Sequence, residues 1–378
     1  MDFDLTEEQK IFQDTIRKFA QKELAPLLDN AEETKTFPLE LFPKMGEQGY
    51  LCVNYDEKYG GAGADKVCDA IINLEIAKIS MAFSTSLSAQ ALATVPVKTF
   101  GSEQQKNIYL PAAISGKGKF AFAMTEPNVG SDSANIETSS RKDGDSYIIN
   151  GTKMFVTNGP FADYITISAS TDRSKGAKGI AVFIIEKGTP GMINVGKLEK
   201  MGQHAAETGE ILFEDCRVPK ECLIGPHEGG FPALMIALNE SRISVAAMIA
   251  GTAEVAFEAA IKYSKERVAF GKPISKFQVN RFKLVEMEMK VEIAKLLVYK
   301  AAWLCDQNRP YTKEASMAKL YASEAAIQVT SQAVQLHGGY GYMKEYPVER
   351  YFRDARLGAI FEGTSEIQHE IIARYLDI

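Results

Sequence analysis

Apolar residues recur at helical spacing through the first third of the chain. Thr6-Glu7-Glu8-Gln9 has the form of a capping box, and apolar side chains follow every three or four residues from Ile11 to Leu24. Similar spacing recurs in three further segments, at 39–49, 67–79 and 104–116, and a glycine-rich stretch at 59–63 predicts a loop. The first third is therefore predicted to be all-helical.

The period changes near Phe120, where short strand-like runs with turn signals replace the helical spacing. The pairs Asn150-Gly151 and Asn158-Gly159 are typical of hairpin turns. Further strand-like runs follow at 165–168, 179–185 and 210–213, with a turn predicted at 189–191. We expect a β domain of roughly a hundred residues, ending near Val218-Pro219.

Long helical patterns return after Gly229-Gly230. They cover 231–267, 277–308 and 312–337, with shorter helical pieces up to Tyr375. Helices of this length predict a bundle. The order of helices, strands and helices, without repeated βαβ units, indicates an α+β chain.

Composition narrows the class of protein. The chain has 378 residues, of which 46% are hydrophobic and 24% charged, as in a soluble enzyme-sized protein. A net charge of −6 argues against binding to a nucleic-acid backbone. The acidic N-terminus lacks the features of a signal peptide, and charged residues interrupt the long apolar runs, so a cytoplasmic protein without a membrane span is expected.

Cysteine and histidine spacing argues against a metal site. The five cysteines include no Cys-x-x-Cys pair and suit a reducing compartment better than a disulfide framework. The four histidines show neither metal-binding spacing nor a nearby serine and aspartate that would suggest a catalytic triad. No metal ligands are predicted.

Glu362 is the main candidate for a catalytic group. It ends an apolar run, 357–361, that has no ionisable side chain, and it precedes Gly363. Loss of water raises the pKa of a carboxyl group and makes it a stronger base, which suits removal of a proton from carbon. An ordinary glutamate at the start of a helix would fit this stretch equally well.

A second candidate site lies at the start of the β region, in the segment from Phe122 to Asp132. Thr125 and Ser131 offer hydroxyls, and Gly130 would let backbone amides approach an anion such as a pyrophosphate. On composition alone a polar turn is the favoured interpretation. No Gly-x-Gly-x-x-Gly follows a strand, so neither a nicotinamide-dinucleotide fold nor a P-loop is supported.

Five groups of residues, in their order along the chain, resemble the flavin-dependent acyl-CoA dehydrogenase family. They are Thr125-Glu126-Pro127 with Gly130-Ser131-Asp132, Gly151-x-Lys153 with Thr157-Asn158-Gly159, Arg267-x-x-Phe270-Gly271-Lys272, Gln335-x-x-Gly338-Gly339-x-Gly341, and Glu362-Gly363-Thr364. The resemblance implies an N-terminal α-helical domain at 1–118, a middle β-sheet or barrel domain at 119–226 and a C-terminal four-helix bundle at 227–378. It also implies one FAD per subunit and a homotetramer built as a dimer of dimers.

The resemblance assigns roles to residues at matching positions. Those expected near the flavin are Phe122, Met124, Thr125, Ser131, Phe155, Val156 and Thr157, with Phe155 where many members have Trp. Those expected to reach the FAD of a neighbouring subunit or its adenosine end are Arg267, Phe270, Gln278, Gln335, Gly338 and Gly339, and Thr364 and Glu366 form a further FAD contact. Acyl-CoA contacts are expected from Ser131, Asn239, Arg242 and Gly363, although Asn239 stands where many members have Asp.

The implied reaction is α,β-dehydrogenation of a short, branched or cyclic acyl-CoA to the 2-enoyl-CoA. Glu362 would remove the α-proton, a hydride would pass to flavin N5, and electron-transfer flavoprotein would accept the electrons. Some relatives place the base directly before the arginine corresponding to Arg242, but here that residue is Ser241, and Glu240 is expected to be a solvated helix residue. An oxygen-using acyl-CoA oxidase-like enzyme and a non-catalytic relative acting as an assembly partner remain alternatives.

Overall fold

The computed structural model describes residues 4–376, which begin with a helical region. Its helices are α1 (Glu7–Phe19), α2 (Leu28–Thr34), α3 (Leu41–Glu47), α4 (Lys66–Ile79), α5 (Met81–Phe100) and α6 (Glu103–Ile114). The Thr6 capping box forms as predicted, with reciprocal bonds between Thr6 and Gln9. Helix α5 was not predicted, because it is buried on most sides and its small and apolar residues lack an amphipathic period.

An eight-stranded sheet follows the helices. Its strands are β1 (Phe120–Ala123), β2 (Ser139–Asp143), β3 (Ser146–Thr157), β4 (Tyr164–Ser170), β5 (Ile180–Glu186), β6 (Met192–Lys197), β7 (Thr208–Pro219) and β8 (Leu223–Ile224). They are ordered β6-β7-β3-β2-β4-β5-β8, with β1 parallel to β4. The sequence did not predict β2, which contains no apolar residue, or β6, which is a largely exposed edge strand.

The hairpin turn predicted at Asn150-Gly151 is wrong. Strand β3 continues through this pair, and its register against β7 shifts there. Gly151 is required for a different reason, since a Cβ at this position would lie 2.5 Å from Thr138 Oγ1. At Asn158-Gly159 the strand does end in a turn, with Asn158 at a φ of 65°.

The C-terminal region is again helical and confirms the three long helices. It contains α7 (Phe231–Glu266), a ribbon of β9 (Val268–Ala269) and β10 (Lys272–Pro273), α8 (Gln278–Asp306), α9 (Thr312–His337), α10 (Val348–Ala355) and α11 (Ser365–Arg374). Side chains of α7, α8 and α9 form one core with α4. Helix α7 is long and apolar enough to cross a membrane, but 78% of its most apolar window is buried inside the protein, as expected of a core helix.

Strand β5 shows how the sheet is held between two cores. Ile180, Val182 and Ile184 belong to a cluster shared with α5, α6 and the start of α7. The alternating Ala181, Phe183 and Ile185 pack on the opposite face of the sheet. Packing on one face therefore fixes the sheet against α5, α6 and the start of α7.

Candidate active site

Glu362 lies in a tight loop between α10 and α11. Both Glu362 and Gly363 have left-handed backbones, with φ values of 54° and 89°. A glutamate in this region is uncommon and costs on the order of 1 kcal/mol, so surrounding contacts have to hold it. Gln368 Nε2 donates to the carbonyls of Glu362 (3.1 Å) and Gly363 (2.9 Å), and Lys319 Nζ donates to the Gly363 carbonyl (2.6 Å).

The Glu362 carboxylate is partly buried and lies near the positive charges of Arg242 and Lys319. Its Oε2 atom is buried and has no hydrogen-bond partner. Burial raises the pKa of Glu362 to about 7, against the opposing charges of Arg242 and Lys319 and the hydroxyl of Ser241. The expected desolvation is thus present, and this carboxyl group can exchange a proton near neutral pH.

Arg242 is buried and contacts the loop that carries Glu362. Its Nε donates to the Glu362 carbonyl (3.4 Å) and its Nη1 to Asn239 Oδ1 (2.5 Å), while Asn239 Nδ2 donates to Thr312 Oγ1 (3.3 Å). Arg242 and Asn239, both predicted as acyl-CoA contacts, are therefore brought together beside Glu362.

The prediction of a solvated helix residue is wrong for Glu240, which lies two positions before Arg242 on α7. It is not solvated, because its side chain is only 14% exposed and pairs with Lys98 at 2.9 Å. This ion pair joins α7 to α5. It gives Glu240 a structural partner on another helix.

Two of the sequence motifs meet in a buried ion pair. Lys153 Nζ lies 2.7 Å from Glu126 Oε1, and both side chains are almost completely buried. Lys153 also donates to the Met124 carbonyl (3.3 Å), and Glu126 Oε1 accepts from the Thr138 amide (3.0 Å). Burial alone would raise the pKa of Glu126, but the Lys153 charge and these hydrogen bonds hold that pKa below its usual value.

The ion pair between Glu126 and Lys153 positions two parts of the β domain relative to each other. It fixes the segment after β1 against β3, and the Met154 amide donates to the Thr125 carbonyl at 2.8 Å. The sequence motifs include Glu126 and Lys153 but predict no role for either residue. The available signal was a pair of charges within otherwise strand-like apolar segments.

The residues predicted to contact the flavin lie on these joined segments. Met124 and Val156 are buried, Phe122, Thr125 and Thr157 are partly exposed, and Ser131 is exposed. Phe155 is 64% exposed and has a left-handed φ of 58°. An exposed aromatic ring on a strained backbone provides an apolar surface suited to packing against a planar ligand.

Four of the residues predicted to bind FAD line a separate cleft of about 420 Å³. Arg267 comes from the end of α7, and Gln335, Gly338 and Gly339 come from the end of α9. A Cβ at either glycine would contact nothing within 4 Å, so the backbone there is open. A guanidinium group beside open backbone fits the pyrophosphate of a dinucleotide such as FAD.

The other predicted FAD residues lie at two places on the surface. Phe270, in the ribbon after Arg267, is 94% exposed, and Gln278 begins α8 and is exposed as well. Thr364 caps α11 by accepting a bond from the Ile367 amide, and Glu366 is exposed in the first turn of that helix. An almost fully exposed phenylalanine suggests a surface that is covered in an assembly.

Comparison with known proteins supports the resemblance to the acyl-CoA dehydrogenase family. Three family models match, namely the acyl-CoA dehydrogenase N-terminal, middle and C-terminal domains, at residues 6–117, 121–216 and 228–376. The chain is 44% identical to a short-chain specific acyl-CoA dehydrogenase of Clostridium acetobutylicum, over 99% of both chains. It is also 44% identical to the caffeyl-CoA reductase–Etf complex subunit CarC of Acetobacterium woodii, over 98% of both.

Among solved structures, the butyryl-CoA dehydrogenase of Megasphaera elsdenii is 41% identical and covers 100% of both chains with a TM-score of 0.97. The chain belongs to the acyl-CoA dehydrogenase family. It is an FAD-dependent oxidoreductase acting on acyl-CoA thioesters, and the predicted fold of helical, β and helical domains is confirmed.

Proposed function

We propose that this protein dehydrogenates short-chain acyl-CoA thioesters at Cα and Cβ, with Glu362 as the base that removes the α-proton. The observation that carries the proposal is the Glu362 carboxyl group, whose Oε2 atom is buried without a hydrogen-bond partner in a loop with a left-handed backbone. Burial raises the pKa of this group to about 7. The α-proton of a thioester is weakly acidic, and a base is most effective when its pKa lies near the working pH. Bound FAD supplies the acceptor for the hydride that leaves Cβ.

The residues around Glu362 have supporting roles in this proposal. The positive charges of Arg242 and Lys319 lower the pKa of Glu362, so that a fraction of the molecules carries an ionised carboxylate despite its burial. We assign the Glu362 backbone N–H to the thioester oxygen, where negative charge grows as the α-proton leaves, and Gly363 to the acyl-CoA. Ser131, Asn239 and Arg242 complete the proposed substrate contacts.

We further propose that each FAD is bound by two subunits. One set of residues, on β1, β3 and the segment after β1, would hold the flavin end; it consists of Phe122, Met124, Thr125, Ser131, Phe155, Val156 and Thr157. The other set would come from a neighbouring chain, where Arg267, Phe270 and Gln278 would reach the FAD and Gln335, Gly338 and Gly339 would close over its adenosine end. Thr364 and Glu366 would form a further FAD contact. The support is that Arg267 and the two glycines line a cleft that includes none of the first set.

A short acyl chain is proposed because two of the similar proteins are named for short-chain or butyryl substrates. Electron-transfer flavoprotein is the proposed acceptor, since CarC is named as part of an Etf complex. That relative is a reductase, so the reverse reaction is a second candidate. A carboxyl group with a pKa of about 7 can donate a proton to Cα as readily as it can accept one.

We propose that the protein is cytoplasmic. All five cysteines are free in the structure, which supports a reducing compartment such as the cytoplasm. We place the domain boundaries at 1–118, 119–226 and 227–378. The assembly is proposed to be a homotetramer.

Anaerobic mixing of the FAD-loaded protein with a panel of acyl-CoA thioesters tests the function, with flavin bleaching as the readout. We expect butyryl-CoA and its close analogues to bleach the wild type. Glu362→Gln should remain yellow and bind acyl-CoA but bleach at least about a hundredfold more slowly, because it keeps the shape of the base without its basicity. Glu370→Gln, an exposed position on α11, is the matched control.

Three outcomes would contradict the proposal. Substantial bleaching of Glu362→Gln would remove the assigned base. Rapid peroxide formation after reoxidation in air would favour an oxidase. Protein that stays colourless after incubation with FAD would favour a non-catalytic assembly partner.

A further inference from the structure

Lys319 is a buried lysine on α9 that faces the loop of the proposed base. Its side chain is 0% exposed. Among residues 4–376 its ammonium group forms no ion pair with a carboxylate. A fully buried lysine without such a partner is rare because removing its charge from water is costly. The ammonium group instead donates to the Gly363 carbonyl at 2.6 Å.

Helix α9 holds both ends of the segment that leads to the base. Ser323, one turn beyond Lys319, donates to the Gly358 carbonyl at 2.8 Å, while Lys319 binds Gly363. Between these two contacts lies Glu362 with its left-handed backbone. The geometry of the base loop is therefore set against a rigid helix of the core.

A neutral donor would be enough to hold the backbone of the loop. Gln368 already supplies one, with bonds to both the Glu362 and Gly363 carbonyls. A lysine at position 319 adds a positive charge, although burial lowers its pKa to about 8. Its charge acts on Glu362 together with that of Arg242. A contact that only held the backbone of the loop would not need the positive charge of Lys319.

We propose that Lys319 is a positioning residue for Glu362: it fixes the Glu362-Gly363 backbone through the Gly363 carbonyl and keeps the neighbouring carboxylate ionised. The inference rests on the proposed role of Glu362 as the base. It assigns Lys319 no contact with substrate or cofactor. Its effect is exerted through the loop and through its charge.

Three variants separate the charge from the hydrogen bond. Lys319→Met removes both, Lys319→Gln removes the charge but keeps a donor, and Gln368→Leu removes neutral donors while Lys319 stays. We expect the pH at which flavin reduction is half-maximal to rise by about one unit in both Lys319 variants. In Gln368→Leu the rate of flavin reduction should fall, while the pH at which that rate is half-maximal should stay at the wild-type value.

A second measurement does not depend on turnover. Infrared titration of the carboxyl band that is absent in Glu362→Gln reports the protonation of Glu362 directly. We expect the midpoint of the Glu362 titration to rise by the same amount in Lys319→Gln. This variant provides the test even if Lys319→Met does not fold. Unchanged midpoints in both Lys319 variants would overturn the inference and leave Lys319 a structural residue. A wild type that titrates normally but is bleached by no acyl-CoA would instead contradict the proposed function.

Discussion

A carboxylate that acts as a base at neutral pH must lose water without losing its charge. Glu362 meets both conditions, because burial raises its pKa while Arg242 and Lys319 lower it. Asn239 contributes by being neutral, since it binds the Arg242 guanidinium without cancelling its charge. The departure from Asp at this position therefore has an electrostatic consequence at the base.

The pH dependence of flavin reduction follows from these charges. Glu362 has to be deprotonated to accept the α-proton, so the rate should rise with pH through about 7. Asn239→Asp places a negative charge beside Arg242, which weakens the stabilisation of the Glu362 carboxylate and raises its pKa. We expect the midpoint to move upward and the rate at pH 7 to fall by about two- to fivefold in stopped-flow measurements.

The control for this prediction is Asn308→Asp, which adds the same charge at an exposed position beyond α8. It should leave the midpoint unchanged. A midpoint that stays at the wild-type value in Asn239→Asp would show that Arg242 does not act on Glu362 through its charge.

Residues of the site differ in how far the sequence could predict them. Glu362 was identified from its apolar neighbours and the glycine that follows, and Ser241 removed the competing position for a base. Lys319 was not identified, because its sequence context on α9 is that of any helix lysine. Only the packing of α9 against the loop, 44 positions further along the chain, brings Lys319 to Gly363.

At the scale of elements, the ion pair between Glu126 and Lys153 fixes β3 against the segment after β1. Lys153→Met should destabilise the protein by about 3 kcal/mol, because it leaves the Glu126 carboxylate buried without its counter-charge. Urea unfolding followed by circular dichroism measures this loss. Lys142→Met, at an exposed lysine of β2, is the matched control and should unfold like the wild type.

The same ion pair makes a pH-dependent contribution to stability. The folded-state pKa of Glu126 is lowered, so its contribution is present above the ordinary pKa of a glutamate and is lost as the pH falls through the folded value. Lys153→Met should therefore lose less stability on acidification than the wild type. If Lys153→Met unfolds at the wild-type urea concentration, the pair does not hold these elements together.

The sequence predicts well those helices whose apolar residues recur at helical spacing and whose ends carry clear signals. Helix α9 has the predicted bounds, and α7 and α8 differ from prediction by one or two residues at their ends. Helix α5 was missed because burial on most sides removes the polar face on which the helical pattern depends. The hairpin at Asn150-Gly151 failed for a related reason, since close packing of β3 against Thr138 selects glycine there without a turn.

At the scale of the whole molecule, a row of exposed apolar side chains runs along α8. Its members recur every three, four or seven residues on one side of the helix and are 38–61% exposed; they are Val279, Phe282, Val285, Met289, Ile293, Leu296 and Trp303. A row of exposed apolar side chains along one side of a helix marks a contact with another protein. The row starts beside Phe277, whose ring lies 6.1 Å from that of Phe270, a residue proposed to reach the FAD of a neighbouring subunit. We therefore infer that a second copy of the chain covers the row.

Met289→Lys tests this inference, because a charge in the middle of the row would have to be buried without a partner when the copies associate. We expect light scattering to show a mass below that of the tetramer. Part of the FAD should also be released on dilution, since the proposed adenosine contacts come from a neighbouring subunit. Ile108→Lys, at a similarly exposed apolar residue of α6, should keep both the mass and the flavin. A Met289→Lys protein that remains a tetramer would show that the row lies outside the subunit contacts.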